Sequence, residues 1–317
     1  MGEFSKEIGE LGEKLVSRFL DTIGWSGPQS GESIDCSYSV AHKNNGTQNG
    51  RKTHGIDLFY STRSQLQDHT LDNVVMSVKY TDKPYPPNPS STFKAHFKDL
   101  AQTIECYMKS DFRVDNNDEH SMTGIKQAND TGVLFWLTNN KGSDQDVVTK
   151  VSTIQLEKTL SFSSIYVVDN ARAAFIYNTV KYARNNFPNH DFFYHYTSSS
   201  SNYKGADNDK YGKILPVEYL VSNIIPFRLI NKNTQKNTFC LASREPFDAD
   251  AINRLLYLAS DISQDFTDEF VFLFPEYDPL RDEKVLKKAK RLVKDKSDSL
   301  DIKVFAYNDD FRGLINE

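Results

Sequence analysis

Apolar residues recur at helical spacing from the start of the chain. Ile8, Leu11, Leu15, Phe19 and Ile23 form one stripe, which predicts a helix over Ser5–Thr22. Ser5 suits its N-cap, Glu7 and Glu10 suit the positive end of its dipole, and Gly24 suits its stop. The period then changes to two. Ser33–His42 alternates well enough for a strand. Ile56, Leu58 and Tyr60 alternate with Asp57 and Phe59, and Val74–Tyr80 is apolar and β-branched apart from Ser77 and Lys79. The polar linker Ser61–Asn73 turns the chain back, so these last two strands become neighbours. Pro84, Pro86, Pro87 and Pro89 exclude helix or central strand just after them. Helical spacing returns over Thr92–Lys109 with Phe93, Phe97, Leu100, Ile104 and Tyr107. Asp111–Asp130 is polar and reads as loop. Gly132–Thr138 is a continuous apolar run that suits a buried central strand.

Further on, Asp144–Thr159 has helical stretches. Ser163–Val168 reads as strand, Asn170–Asn186 as helix and Phe192–Thr197 as strand, all expected to extend the first sheet. The serine run Ser198–Ser201 and the polar residues to Asp209 read as a linker. This predicts two domains, residues 1–200 and 201–317. Beyond the linker, strands at Asn237–Ser243, Glu269–Pro275 and Ile302–Tyr307 alternate with helices at Asp248–Gln264 and Arg281–Lys296. Such alternation implies an α/β layer with parallel neighbours. No Gly-rich phosphate loop occurs at its strand-to-helix turns, so nucleotide binding is not supported. The dense Lys and Arg of Arg281–Lys296 fit a solvated helix face better than a DNA-facing ridge.

At 317 residues, with 38% hydrophobic and 12% aromatic content, the chain can build packed cores. A net charge of −5 argues against a uniformly basic nucleic-acid coat, while leaving room for a local basic groove. Cys36, Cys106 and Cys240 stand apart with no C-x-x-C, so neither a structural zinc nor a disulfide framework is expected, and lone thiols suit a reducing cytoplasm. Neither a signal core nor an apolar run long enough for a membrane span is present.

Candidate chemistry gathers on the paired strands. Asp57 is brought near the face that carries Ser77 and Lys79, which lie two apart and point the same way. A carboxylate can hold a hard divalent cation, and a lysine can orient a water or stabilise charge on a phosphate. An ordinary surface salt bridge would use the same residues. Glu13 lies beside the buried stripe of the first helix, at a cleft edge. Lys43, Arg51, Lys52 and His54 belong to a polar loop with turn signals at Asn45-Gly46 and Asn49-Gly50, and can touch phosphates or simply be solvated.

Taken in order, Gly12–Trp25 (G-E-K-L-V-S-R-F-L-D-T-I-G-W), Gly55–Leu58 (G-I-D-L) and Ser77–Lys79 (S-V-K) resemble the PD-(D/E)XK phosphodiesterase superfamily, the fold of many restriction enzymes and Holliday-junction resolvases. The resemblance covers about the first 140 residues. It implies a restriction-endonuclease-like mixed sheet flanked by helices, beside which the α/β pattern of the second half is expected to form a second, smaller domain that serves as an accessory or partner-binding module. It also implies hydrolysis of nucleic-acid phosphodiesters, DNA foremost, with Mg²⁺ or Mn²⁺. Asp57 would be the main metal ligand, Lys79 the catalytic lysine and Glu13 the supporting helix acid. Ser77 departs from the pattern, standing where an acid is usual. Some restriction endonucleases of this superfamily also have Ser-x-Lys and draw the lost acid from the following helix, where Asp99 and Glu105 are the candidates here. Glu105 is favoured because Phe97, Leu100 and Ile104 anchor its side. The resemblance further implies a homodimer, a protein partner and a place in prokaryotic restriction or phage defence. The competing expectation is a catalytically degenerate DNA-binding or assembly subunit.

Overall fold

The computed structural model describes residues 2–43, 49–121, 124–140, 146–199, 201–202, 210–263, 267, 269–294 and 301–307. Contacts group the chain into two compact units. The first comprises Met1–Asp21 and Trp25–Ala173, and the second Thr22–Gly24 and the chain from Ala174.

The first unit is a mixed sheet between helical layers. Its elements run α1 (Gly2–Thr22), β1 (Gln29–Asp35), β2 (Thr53–Arg63), β3 (Thr70–Thr81), α2 (Ser90–Tyr107), α3 (Asp111–Ser121), β4 (Gln127–Thr138), α4 (Val147–Val151) and β5 (Ser164–Val168), ending in the first turn of α5 (Asn170–Asn186). The strands lie in the order β1-β2-β3-β4-β5. The first two pairings are antiparallel and the last two parallel. Phe93, Phe97, Leu100 and Ile104 of α2 pack on Val75, Leu134 and Trp136 of one sheet face. The opposite face takes α1, where Phe19 meets Phe135 edge-on at 6.0 Å between ring centres. Gly12 lets α1 come close: a Cβ there would lie 2.4 Å from Cβ of Tyr80 on β3.

Three features of this unit differ from the sequence expectation. The first strand is Gln29–Asp35 rather than Ser33–His42, because the chain turns back after Asp35, with His42 N–H donating to Tyr38 O at 2.9 Å. Part of the expected loop is α3, which lacks a strong apolar stripe and is held by polar bonds. Arg113 pairs with Asp130 at 2.8 Å and Asn116 donates to Asn73 at 2.9 Å. Finally, β4 begins at Gln127, earlier than the apolar run alone suggests.

The second unit holds a six-stranded sheet in the order β11-β10-β9-β8-β6-β7. Here β6 is His190–His195, β7 Tyr211–Gly212, β8 Ile224–Asn231, β9 Asn237–Ser243, β10 Glu269–Phe274 and β11 Asp301–Ala306. The three C-terminal strands are parallel, as the alternation implies, with α6 (Ala249–Ser263) and α7 (Pro279–Lys294) as crossovers. While β5 extends the first sheet as expected, β6 does not, and pairs with β8 in the second. By contacts, the second unit takes in Thr22–Gly24 and the described residues from Ala174 on. Most of the expected linker, residues 200 and 203–209, lies outside the described residues. Among the described residues no helix is long and apolar enough to cross a membrane.

Candidate active site

The first unit's polar centre forms where β2 and β3 part. Their ladder runs from Arg63↔Leu71 to Leu58↔Met76 and stops there. At the next position, Asp57 takes over the role of strand partner. Its Oδ2 accepts the Val78 backbone N–H at 2.6 Å and the Ser77 hydroxyl at 3.3 Å. Satisfying an otherwise unpaired sheet donor fixes the carboxylate's position. Ser77, buried at 8% exposure, thus spends its hydroxyl on orienting Asp57.

Glu13, on α1, is near enough to feel this carboxylate's charge. Its own carboxyl is raised above the ordinary glutamate value, first by burial, then by the negative charge of Asp57 and of Glu10. Two carboxylates that repel each other beside a strand end suit a hard divalent cation.

Lys79 lies one residue past Val78. Its Nζ is 3.7 Å from Oδ2 of Asp99 on α2, whose Oδ1 accepts from Arg51 Nη1 at 2.8 Å. Burial alone would raise Asp99, but the Arg51 hydrogen bond and the charges of Lys79 and Arg51 outweigh it and hold the carboxyl low. His96, edge-on to Trp136 at 5.7 Å, is pushed down to about 4 by burial and by Lys79, against the pull of Asp99. It is neutral at physiological pH. Lys79, His96 and Trp136 line a cleft of about 590 Å³ together with Ile8 and Gly9 of α1 and Lys83 of the proline segment.

Of the two α2 acids, Asp99 is the one beside Lys79. Glu105 points elsewhere: its Oε2 lies 3.1 Å from His42 Nε2. Six residues along a helix turn a side chain well away from the first. The apolar neighbours that seemed to anchor Glu105 toward the sheet belong to the α2 core instead. His54 is also displaced from its expected role. It is fully buried, with one ring nitrogen facing His42 at 3.3 Å and the other facing Thr103 at 3.3 Å, so it is not offered to a phosphate. Burial, then the charges of Arg51 and His42, lowers it to about 4. Arg51 is half-buried, bonded to Asp99 and to Thr53 O at 3.0 Å, whereas Lys43 and Lys52 are exposed.

One group of residues escaped the sequence reading. Cys36, His42, His54 and Cys106 bring one ligand atom each to within 4.8 Å of one another, and three of the four residues are buried. Their separations, for example 6 between Cys36 and His42 and 64 between His42 and Cys106, carry no short repeat to announce them.

An acid-bearing helix, an antiparallel pair with Asp57 on one strand and Lys79 on the other, and parallel strands beyond define a PD-(D/E)XK-type nuclease domain. The profile of the GAPS4 protein PD-(D/E)XK nuclease domain matches residues 1–172, more than half of the chain, and the chain belongs to this family. A comparison with curated proteins gives no match.

Proposed function

We propose that this protein is a metal-dependent endonuclease that hydrolyses DNA phosphodiesters, with its active site at the parting of β2 and β3. The observation that carries this reading is the Asp57 carboxylate held on Val78 N–H, with the charge of Asp57 acting on Glu13 and with Lys79 one residue further along β3, in a chain of a nuclease-domain family. Asp57 and Glu13 would hold the cation, Mg²⁺ or Mn²⁺. Once bound, such an ion polarises the scissile phosphate and acidifies a water. Asp57 offers a carboxylate whose direction is set by Val78 N–H and Ser77. Lys79 stabilises negative charge building on the phosphate oxygens. Asp99 positions Lys79 by charge and holds Arg51 at the same edge. Lys43 and Lys52 contact flanking phosphates and steer DNA to the site.

DNA rather than RNA, two copies acting on two strands, a protein partner for the second unit, and service in restriction or phage defence rest on analogy with nucleases of this superfamily. A reducing cytoplasm fits three free cysteines.

A second reading has its own support. Ser77 carries no charge, and Lys79 leans on Asp99, so a DNA-binding subunit without catalysis would use the same surface. Incubating the full chain with supercoiled plasmid and Mg²⁺ or Mn²⁺ separates the two. Nicking that chelator stops supports the nuclease. Retention of DNA on a gel without strand breaks, under both cations, supports the binding subunit.

A further inference from the structure

The Cys36–His42–His54–Cys106 cluster has the arrangement of a closed tetrahedral metal centre. With zinc bonds of about 2.3 Å to sulfur and about 2.0–2.1 Å to nitrogen, tetrahedral ligands stand about 3.5 Å apart for a sulfur–nitrogen pair and about 3.3–3.4 Å for a nitrogen pair. Here Cys36 Sγ is 3.6 Å from His42 Nδ1, Cys106 Sγ is 3.4 Å from the same atom, and His42 Nδ1 is 3.3 Å from His54 Nε2.

The outer bonds fix the tautomers. Thr103 Oγ1 gives its hydrogen to Asp99 O at 2.9 Å, so it accepts from His54 Nδ1 at 3.3 Å, and His54 Nε2 is left with its lone pair. His42 Nε2 donates to Glu105 Oε2 at 3.1 Å, which leaves a lone pair on Nδ1. Two bare nitrogens then face each other with two sulfurs beside them. A thiol hydrogen from Cys36 or Cys106 can satisfy His42 Nδ1 alone, whereas one cation satisfies both nitrogens and both sulfurs together. A carboxylate and a hydroxyl behind the two imidazoles are also what orients histidine ligands in zinc proteins.

We propose that these four residues bind one structural Zn²⁺, and that the ion ties the β1–β2 connection to the C-terminal end of α2. Its donors come from three places. Cys36 and His42 lie in the turn after β1, His54 lies on β2 and Cys106 on α2. Sulfur and imidazole donors select a soft or borderline metal over the hard cation suited to Asp57 and Glu13. All four protein ligands are present, so no position is left open for substrate, and the site is structural in kind. The bound segment also carries Arg51, so zinc would hold this arginine where it meets Asp99. The inference stands on the cluster alone and does not rest on the nuclease reading.

The full chain, purified without chelator, is assayed for metal by plasma mass spectrometry and for ligand type by X-ray absorption at the zinc edge. One zinc per chain is expected, with a shell of two sulfurs and two nitrogens. Glu105→Gln should keep the fold and weaken zinc about 10- to 100-fold in competition with a chromogenic chelator. Cys106→Ser should lose zinc, and if that variant fails to fold, the wild-type shell and Glu105→Gln still decide. A wild-type protein that is folded, holds no zinc and takes none up would overturn the proposal, leaving the four side chains as a hydrogen-bonded cluster. A Cys36–Cys106 disulfide in the purified protein, or a zinc shell of oxygens, would overturn it equally.

Discussion

Two clusters of polar residues share the first unit, and α2 feeds both. One is built of half-buried carboxylates around a strand end and of Lys79, which lines a cleft, with Asp99 as the α2 member. The other is mostly buried and built of thiols and imidazoles, with Cys106 and Glu105 as the α2 members. On the proposed reading, donor chemistry and access would divide the work between them. Oxygen donors suit an exchangeable hard ion and a reacting phosphate, while buried sulfur and nitrogen suit an ion that stays.

The largest effect that would separate the clusters is on cleavage. Lys79→Ala and Asp57→Asn should each lower plasmid nicking by roughly a hundredfold or more. Both should melt close to wild type, with Asn chosen because it keeps an acceptor for Val78 N–H. A nicking assay paired with thermal melts checks this, and normal cutting by both variants would remove the open cluster from catalysis.

Next in size is metal removal. Stripping zinc should lower Tm by roughly ten degrees, the effect of losing a ligand present at about a thousand times its Kd. Adding Mg²⁺ to the zinc-loaded protein should move Tm by only about one or two degrees, because an open site binds weakly. Equal shifts for the two ions would erase the proposed distinction between a resident and an exchangeable metal.

A smaller contrast concerns the two α2 acids. Asp99→Asn releases Lys79 and Arg51, and should cost about tenfold in kcat/KM. Glu105→Gln should leave the Mn²⁺ concentration needed for cleavage unchanged. A rightward shift of the Mn²⁺ titration in Glu105→Gln, with Asp99→Asn unaffected, would reverse the assignment.

The smallest effect is a pH dependence at Glu13. Its folded carboxyl is raised, so the unfolded chain loses the proton first as pH rises. The resulting destabilisation is absent below the ordinary glutamate value, grows up to the raised value, and is complete above it. Without metal, Glu13→Gln should therefore raise Tm at neutral pH by about one degree and leave it unchanged at low pH. Melts across that range check the sign. A gain at low pH that disappears at neutral pH would contradict the repulsion between Glu13 and Asp57.

Much of the fold was legible because its signals are local. The α1 stripe, the buried run of β4 and the β9–α6–β10–α7–β11 alternation follow periodicity, and α5 and β9 keep their expected bounds. The misses have physical causes. α3 is held by polar bonds to Asp130 and Asn73, which no apolar spacing reports. β8 contains Pro226 and buried Arg228, so it does not read as a central strand, yet it pairs on both sides. Within the open cluster, the meeting of Asp57 with Ser77 was legible, since antiparallel pairing needs only the turn between them. The choice between Asp99 and Glu105 depended on the helix rotation behind the proline segment, which spacing does not fix. The sulfur and imidazole donors converge only after the chain turns back at Asp35 and α2 packs on the sheet, so their spacing in sequence gave no sign of a metal site.

The most direct test of the active-site assignment is strand scission of supercoiled plasmid by the full chain in Mn²⁺, comparing wild type with Lys79→Ala at matched thermal stability. The assignment predicts cation-dependent nicking by wild type that chelator stops, and at most about a hundredth of that rate in the variant. Equal nicking by the two proteins, or none by wild type, would contradict it.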